Sequence, residues 1–302
     1  MDVPENPASD DPGAGAGAGA GSPAGRAPVS PDDGPHRPRE GAGVPLPPPG
    51  RRYEGRVAVL TGAASGIGRA TALRLSAEGA RLLLVDQAED GLAETAALLR
   101  ERNGPDAPEA LSAVADVSDE DAVRSAVAAA AAGFGRIDLL ATVAGFHRVV
   151  PLADLTVDAW RRQLDVNALG TMLFCREAMP HLIASRGAVV ATASTAATHA
   201  HPWMTAYAAS KGAVLAFTLS LAAEVARDGV RVVAVSPGGV DTPLVRSVRF
   251  PEDVDASFYG RIMPLVGFGR AEQIAATIAF AGSPDAGYLT GVEVRVDGGS
   301  HN

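Results

Sequence analysis

The sequence has one cysteine, Cys175, among its 302 residues. An intramolecular disulfide is therefore impossible, and a metal centre built on thiolates is not expected. Aromatic residues make up 5% of the chain and charged residues 20%, against 47% hydrophobic residues. Apolar side chains suffice for a sizeable core, yet no run approaches the ~18 consecutive apolar residues that would suggest a membrane span. The formal net charge is −9 and Lys and Arg form no dense cluster. Nucleic acid is not an expected partner, because phosphate binding draws on clustered cations. The first fifty residues lack the apolar stretch of a secretory signal, and Arg51 and Arg52 precede Tyr53, Glu54 and Gly55 rather than a hydrophobic segment. A reducing, cytoplasmic setting is the expectation.

Of the first 50 residues, 33 are Gly, Ala, Pro or Ser, including the repeat GAGAGAGAG and the run PLPPPG. Such a segment buries too little apolar surface to offset the entropy lost on ordering, so 1–52 reads as a disordered tail and 53–302 as one domain. From Arg56 onward, short β-rich apolar runs alternate with Ala- and Leu-rich stretches of helical period. Strands are expected in RVAVLTG from 56, RLLLVD from 81, LSAVAD from 111, DLLATVAG from 138, GAVVATAS from 187, VRVVAVSPG from 230 and VEVRVDGG from 292. Runs of this kind separated by helical segments specify βαβ units. Their continuous apolarity implies burial on both faces, hence an α/β fold of about seven parallel strands with helices on both sides.

Directly after the first strand stands TGAASGIGRATALRL, with Gly62, Gly66 and Gly68 interleaved with Ser65 and Ile67. A phosphate must approach backbone N–H groups closely at a helix N-terminus, and residues without a Cβ allow the tight turn and the close helix–strand packing. Asp86 closes the next strand, 24 positions after Gly62. A carboxylate there accepts hydrogen bonds from a ribose 2′-hydroxyl and repels a 2′-phosphate. Ala64, Ser65 and Gln87 offer no cation for an extra phosphate. NAD is therefore the expected cofactor, with NADP second.

Together with this motif, the chain from about 54 to 302 resembles the short-chain dehydrogenase/reductase family in its classical, single-domain branch. TGAASGIG is similar to the family's cofactor turn, and YAASK to its Tyr-x-x-x-Lys. Ser194 lies 13 residues before Tyr207, the family's usual interval, and Asn167 in DVNALG matches its helix asparagine. The resemblance implies a Rossmann-like doubly wound sheet, with Asp116 and Val117 at the adenine edge and Ala144 and Gly145 in close approach to the cofactor. SPGGVDTP, with Pro237, Gly238, Val240 and Thr242, would lie beside the nicotinamide. The chain departs from the family at Thr142 and Val143, where Asn-Asn is usual. Loss of the first amide removes a side-chain contribution to sheet stability, while the small Ala144 and Gly145 remain.

Tyr207 and Lys211 stand four positions apart, on one face of a helix. A phenol is a poor base at neutral pH, and a nearby ammonium brings its pKa toward the working range. The alternative, a packed tyrosine with a lysine reaching to solvent, loses ground once Ser194, Asn167 and the glycine turn stand in register. The resemblance implies that Ser194 steadies the substrate oxygen, that Lys211 also binds the nicotinamide ribose, and that Asn167 holds a water leading from Lys211 to solvent.

Substrate in such a fold lies outside the carboxyl ends of the strands. Phe146, His147 and Trp203 are the candidate pocket residues, joined by Phe250, Phe258, Tyr259 and Met263 of the 244–268 segment. The mostly apolar set favours a mid-sized secondary alcohol or ketone, alicyclic ones included. His199 and His201 have no carboxylate or thiol cluster nearby in sequence, so no metal is expected. The apolar helices around 160–185 and 207–227 suggest a homo-oligomer, a tetramer by the resemblance and a dimer next. Two alternatives stay open: an NADPH-dependent 3-oxoacyl-thioester reductase, and a non-catalytic nucleotide-sensing member of the fold.

Overall fold

A computed structural model describes residues 50–104, 108–248 and 255–300. The tail expected over 1–52 therefore lies outside the described residues up to position 49, as does Phe250. The first strand, β1, is Val57–Thr61, followed by helix α1 at Gly66–Ala77. Then come β2 at Arg81–Asp86, α2 at Glu89–Asn103, β3 at Ala110–Val114, α3 at Glu120–Phe134 and β4 at Leu139–Thr142. Helix α4, Val157–Leu164, runs through a π-turn at Asp165–Leu169 into α5, Gly170–Ser185. After β5 at Ala188–Thr192 follow α6 at Thr205–Val225, β6 at Arg231–Pro237, β7 at Val240–Asp241 and α7 at Pro243–Arg246. The order closes with β8 at Gly269–Arg270, α8 at Ala271–Gly282 and β9 at Val292–Val296.

The seven expected strands form one parallel sheet in the order β3-β2-β1-β4-β5-β6-β9. β7 and β8 pair separately, also in parallel. Residue alternation explains the two layers of helices. Ala58, Leu60, Leu82 and Leu84 share one core with Leu75 of α1 and Ile274 and Ile278 of α8. Val57, Val59, Leu83 and Val85 share the other with Val123 of α3 and Leu173 and Phe174 of α5. Each such side chain contributes about 1.5–3 kcal/mol on leaving water. The strands are apolar throughout because both faces are covered.

Strand order reverses between β1 and β4, which opens a crevice beyond the carboxyl ends of the strands. Among the described residues, the segment Thr205–Asp228, α6 and the turn after it, is long and apolar enough to cross a membrane, which the sequence reading did not expect. Small Ala and Ser residues spread its apolarity without a contiguous run. The helix packs on β6 and α4 and buries Lys211. Trp160 of α4, Leu169 of the π-turn, Ile183 of α5 and Leu219 of α6 leave apolar side chains exposed.

Candidate active site

The glycine turn after β1 is built for close approach. Gly62 has φ +71° and Gly66 φ +50°, a region that side chains rarely adopt. A Cβ on Gly68 would fall 1.8 Å from the Gly62 carbonyl oxygen, and one on Gly62 would fall 2.8 Å from the Ala144 nitrogen. Ser65 precedes α1 without a side-chain cap, so the first-turn amides of Gly66, Ile67 and Gly68 have no capping side chain and suit an anionic acceptor. Asp86 sits beside this turn. Its carboxylate accepts from the Ala64 amide at 3.1 Å and the Ala88 amide at 3.0 Å, and no cation pairs with it among the described residues. Lone pairs remain for further donors. A cradle without Cβ atoms, an uncapped helix start and a fixed carboxylate together fit a nicotinamide dinucleotide.

The remaining cofactor candidates fall around the same crevice. Asp116 and Val117 follow β3, next to Asp86. The Asp116 carboxylate also holds Arg162 of α4 at 2.7 Å and the Ser118 hydroxyl at 2.7 Å, and its pKa is lowered: burial pushes it up, and these hydrogen bonds pull it further down. Val117 packs against Gly170, where a Cβ would meet it at 2.7 Å. Beyond β6, Gly238 lets Asp297 come so near that a Cβ would be 2.7 Å from it. Pro237 ends β6, and Val240 pairs with Gly269. Thr242 caps α7, its hydroxyl accepting from Val245 N at 3.3 Å, while its methyl would touch a Cβ on Gly66 at 3.5 Å.

Asn167 occupies the π-turn, a backbone irregularity that often marks function. Its Oδ1 accepts from Phe146 N at 3.0 Å, and its Nδ2 donates to Phe146 O at 3.0 Å and to Ser210 Oγ at 2.9 Å. Both N–H groups are thus committed, and its main-chain carbonyl accepts from Thr171 at 3.0 Å. For a water, the second lone pair of Oδ1 remains. Gly145 lies between Asn167 and Lys211: a Cβ there would stand 3.0 Å from Asn167 Oδ1 and 3.4 Å from Lys211 Nζ.

Lys211 is buried, and its Nζ donates to the Thr192 carbonyl at 2.6 Å. Burial lowers its pKa to about 8. The Tyr207 pKa moves the opposite way to the sequence argument. Burial raises it above the ordinary phenol value, while a hydrogen bond with Ser194 pulls it down. The physical reason is that desolvation of the buried phenol outweighs the opposing hydrogen bond. Ser194 Oγ also accepts from Ala196 N at 3.1 Å, which fixes its position after β5.

Of the three pocket candidates, His147 is brought onto Tyr207, edge to face with ring centroids 5.3 Å apart. Phe146 is clamped through its backbone by Asn167. Trp203 has a left-handed backbone, φ +59°, and its carbonyl accepts from Val150 N at 2.7 Å. Its ring meets Phe258 edge-on at 6.2 Å.

Four contributors escaped the sequence reading. Thr61 accepts from the Val143 and Ala144 amides, each at 3.1 Å, and so shapes the turn after β4. Ser210 links Asn167 to the Tyr207 carbonyl, to which it donates at 2.7 Å. Gln163 donates to the Phe146 carbonyl, and Arg162 pairs with Asp116. Thr61, inside TGAASGIG, and Ser210, inside YAASK, stood in recognisable motifs. At the departure from the family pattern, Thr142 Oγ1 is buried with no hydrogen-bond partner among the described residues, as expected for a lost amide.

A family model described as enoyl-(acyl carrier protein) reductase matches residues 62–301. The chain belongs to the short-chain dehydrogenase/reductase family. As such it is an oxidoreductase acting on CH–OH groups. It is 39% identical over 252 residues to cis-4-hydroxycyclohexanecarboxylate dehydrogenase of Sinomonas cyclohexanicum, covering 83% of this chain and 98% of that protein. It is 35% identical over 252 residues to meso-2,3-butanediol dehydrogenase of Serratia marcescens, covering 82% and 96%. Its fold is similar to the crystal structure of a short-chain dehydrogenase from Mycobacterium paratuberculosis bound to NAD, with TM-score 0.74 and 30% identity over 83% of this chain and 99% of that one.

Proposed function

We propose that the protein is an NAD-dependent dehydrogenase that interconverts a secondary alcohol and a ketone, with Tyr207 as general acid and base. The observation that carries the reading is the meeting of Tyr207, Ser194 and buried Lys211 beside Gly145, next to a glycine cradle that has Asp86 at its side. When bound, the nicotinamide ring takes or gives the hydride at the reacting carbon.

The residues of the chain do the rest. Tyr207 holds the proton of the substrate oxygen, and its raised pKa keeps the phenol protonated at neutral pH, ready to donate to a ketone. Ser194 donates to the same oxygen and steadies the charge that develops on it. Lys211 supplies the positive field of the site and binds the ribose. Asn167 and Ser210 hold the loop after β4 and the start of α6 in one arrangement. Asp86 favours NAD over NADP, since a ribose diol suits its remaining lone pairs and a phosphate would meet its charge. The apolar pocket residues, and the named substrate of the Sinomonas relative, support a mid-sized alicyclic alcohol or ketone. Exposed Trp160, Leu169, Ile183 and Leu219 support a homo-oligomer.

The test is a fluorescence titration with NADH and with NADPH, followed by a panel of secondary alcohols and ketones read at the nicotinamide absorbance. NADH binds more tightly than NADPH, and turnover disappears in Tyr207→Phe. Tighter NADPH binding overturns the cofactor assignment, and full activity in Tyr207→Phe overturns the mechanism.

A further inference from the structure

The loop from Gly145 to Val150 is held at both ends: Asn167 fixes the Phe146 amide and carbonyl, and Val150 N donates to the Trp203 carbonyl at 2.7 Å. From this braced segment the His147 ring reaches Tyr207, edge to face, with centroids 5.3 Å apart. Its Nε2 is buried and has no hydrogen-bond partner among the described residues. Buried polar atoms are nearly always paired, so an orphaned nitrogen beside a reactive phenol calls for a partner that arrives with the substrate.

We propose that His147 is the polar anchor of the substrate pocket, and that preferred substrates carry a second oxygen on the carbon adjacent to the reacting one. The substrate class is then vicinal diols, α-hydroxyketones and vicinal diketones, including alicyclic ones. The inference rests on the alcohol–ketone reading above and narrows it.

Three further observations support it. An edge-on contact with Tyr207, with ring centroids 5.3 Å apart, sets the imidazole beside the phenol that handles the reacting oxygen. Burial first, then the nearby Lys211 and His201, lower the His147 pKa. A neutral imidazole has one donor and one acceptor nitrogen, and so serves a hydroxyl or a carbonyl alike. Among the candidate walls Trp203, Phe258 and Met263 are apolar or nearly so, and His147 is the polar one that touches Tyr207. A change of side-chain rotamer on binding, ordinary at ligand sites, turns the covered nitrogen toward the substrate.

The experiment compares kcat/KM for the isomers of cyclohexane-1,2-diol with that for cyclohexanol, in the wild type, His147→Leu and His147→Gln. NADH binding in each variant reports whether the fold is retained. The wild type favours at least one diol isomer by about tenfold or more, as expected where a buried polar group loses its partner. His147→Leu brings the ratio to within about twofold, and His147→Gln, which keeps a donor and an acceptor, recovers part of it. An unchanged ratio in His147→Leu, or a wild type without preference or active on neither, overturns the proposal. Tyr207→Phe separates the two readings: retained turnover there removes the mechanism, whereas lost turnover with an unmoved His147→Leu ratio removes the anchor alone.

Discussion

Asn167 Nδ2 donates to Ser210 Oγ at 2.9 Å, one residue before Lys211, while the same side-chain amide holds the Phe146 backbone on the far side. One buried amide thus joins the loop that carries His147 to the helix that carries Tyr207. Asn167→Ala leaves the Phe146 groups and Ser210 without these partners. We expect a loss of about 2–4 kcal/mol in urea unfolding, because buried polar groups left unmade cost more than the bonds themselves gain. A change below ~0.5 kcal/mol would show that the clamp is not formed.

Tyr207 and Ser194 set the pH response. Burial holds the phenol above its ordinary value and the Ser194 hydrogen bond opposes this. Alcohol oxidation needs the deprotonated form, so its kcat/KM rises with pH through the neutral and alkaline range. Ser194→Ala removes the opposing hydrogen bond and moves the rise to still higher pH, besides lowering the rate about a hundredfold. A profile in Ser194→Ala that shifts toward acid would contradict the assignment.

Lys211 offers a prediction on stability instead of rate. Its folded pKa, about 8, lies below the ordinary lysine value, so between those limits the folded protein carries fewer protons than the unfolded chain. Stability therefore climbs as pH rises above about 8, and the full penalty is present below it. Lys211→Met removes the buried charge and is expected to stabilise the fold by about 2 kcal/mol at neutral pH while ending turnover. Chemical unfolding of both proteins at pH 7 and pH 10 checks this, the gain being smaller at pH 10.

Asp86 is expected to govern the choice of cofactor. In Asp86→Ser the carboxylate is lost but the short polar side chain remains, so NADH affinity falls about tenfold or more and the preference over NADPH narrows. The ratio of the two dissociation constants is the readout. An unmoved ratio would place the discrimination elsewhere.

Gly68 tests the cradle. A methyl group there would overlap the Gly62 carbonyl oxygen, at 1.8 Å, so Gly68→Ala must displace the turn or the helix. We expect NADH binding too weak to titrate and a Tm several degrees lower, reflecting about 1–3 kcal/mol of overpacking. Wild-type NADH affinity in this variant would mean that the turn is not the cofactor's seat.

The seven strands, the glycine turn with Asp86, and the succession Asn167, Ser194, Tyr207 and Lys211 were all legible in the chain. These features are local: a buried strand must be apolar along its length, a close turn needs glycine, and residues four apart on a helix share a face. Apolar patterning therefore determined the fold class, and the glycine turn and the Tyr–Lys spacing pointed to the site, with Asn167 and Ser194 added by the resemblance to a known family. What the amino-acid order left undecided arises between segments far apart in sequence. Thr61 holds the turn 82 residues later, Asn167 meets Ser210 43 residues on, and Arg162 closes on Asp116 from another helix. No periodicity marks such pairs, because each is an ordinary polar residue until packing removes its water and leaves one partner in reach. Tertiary structure also decided the aim of Lys211 at the Thr192 carbonyl, the direction of the Tyr207 shift and the orphaned nitrogen of His147. All three depend on desolvation, a property of the packed surroundings and not of the residue itself.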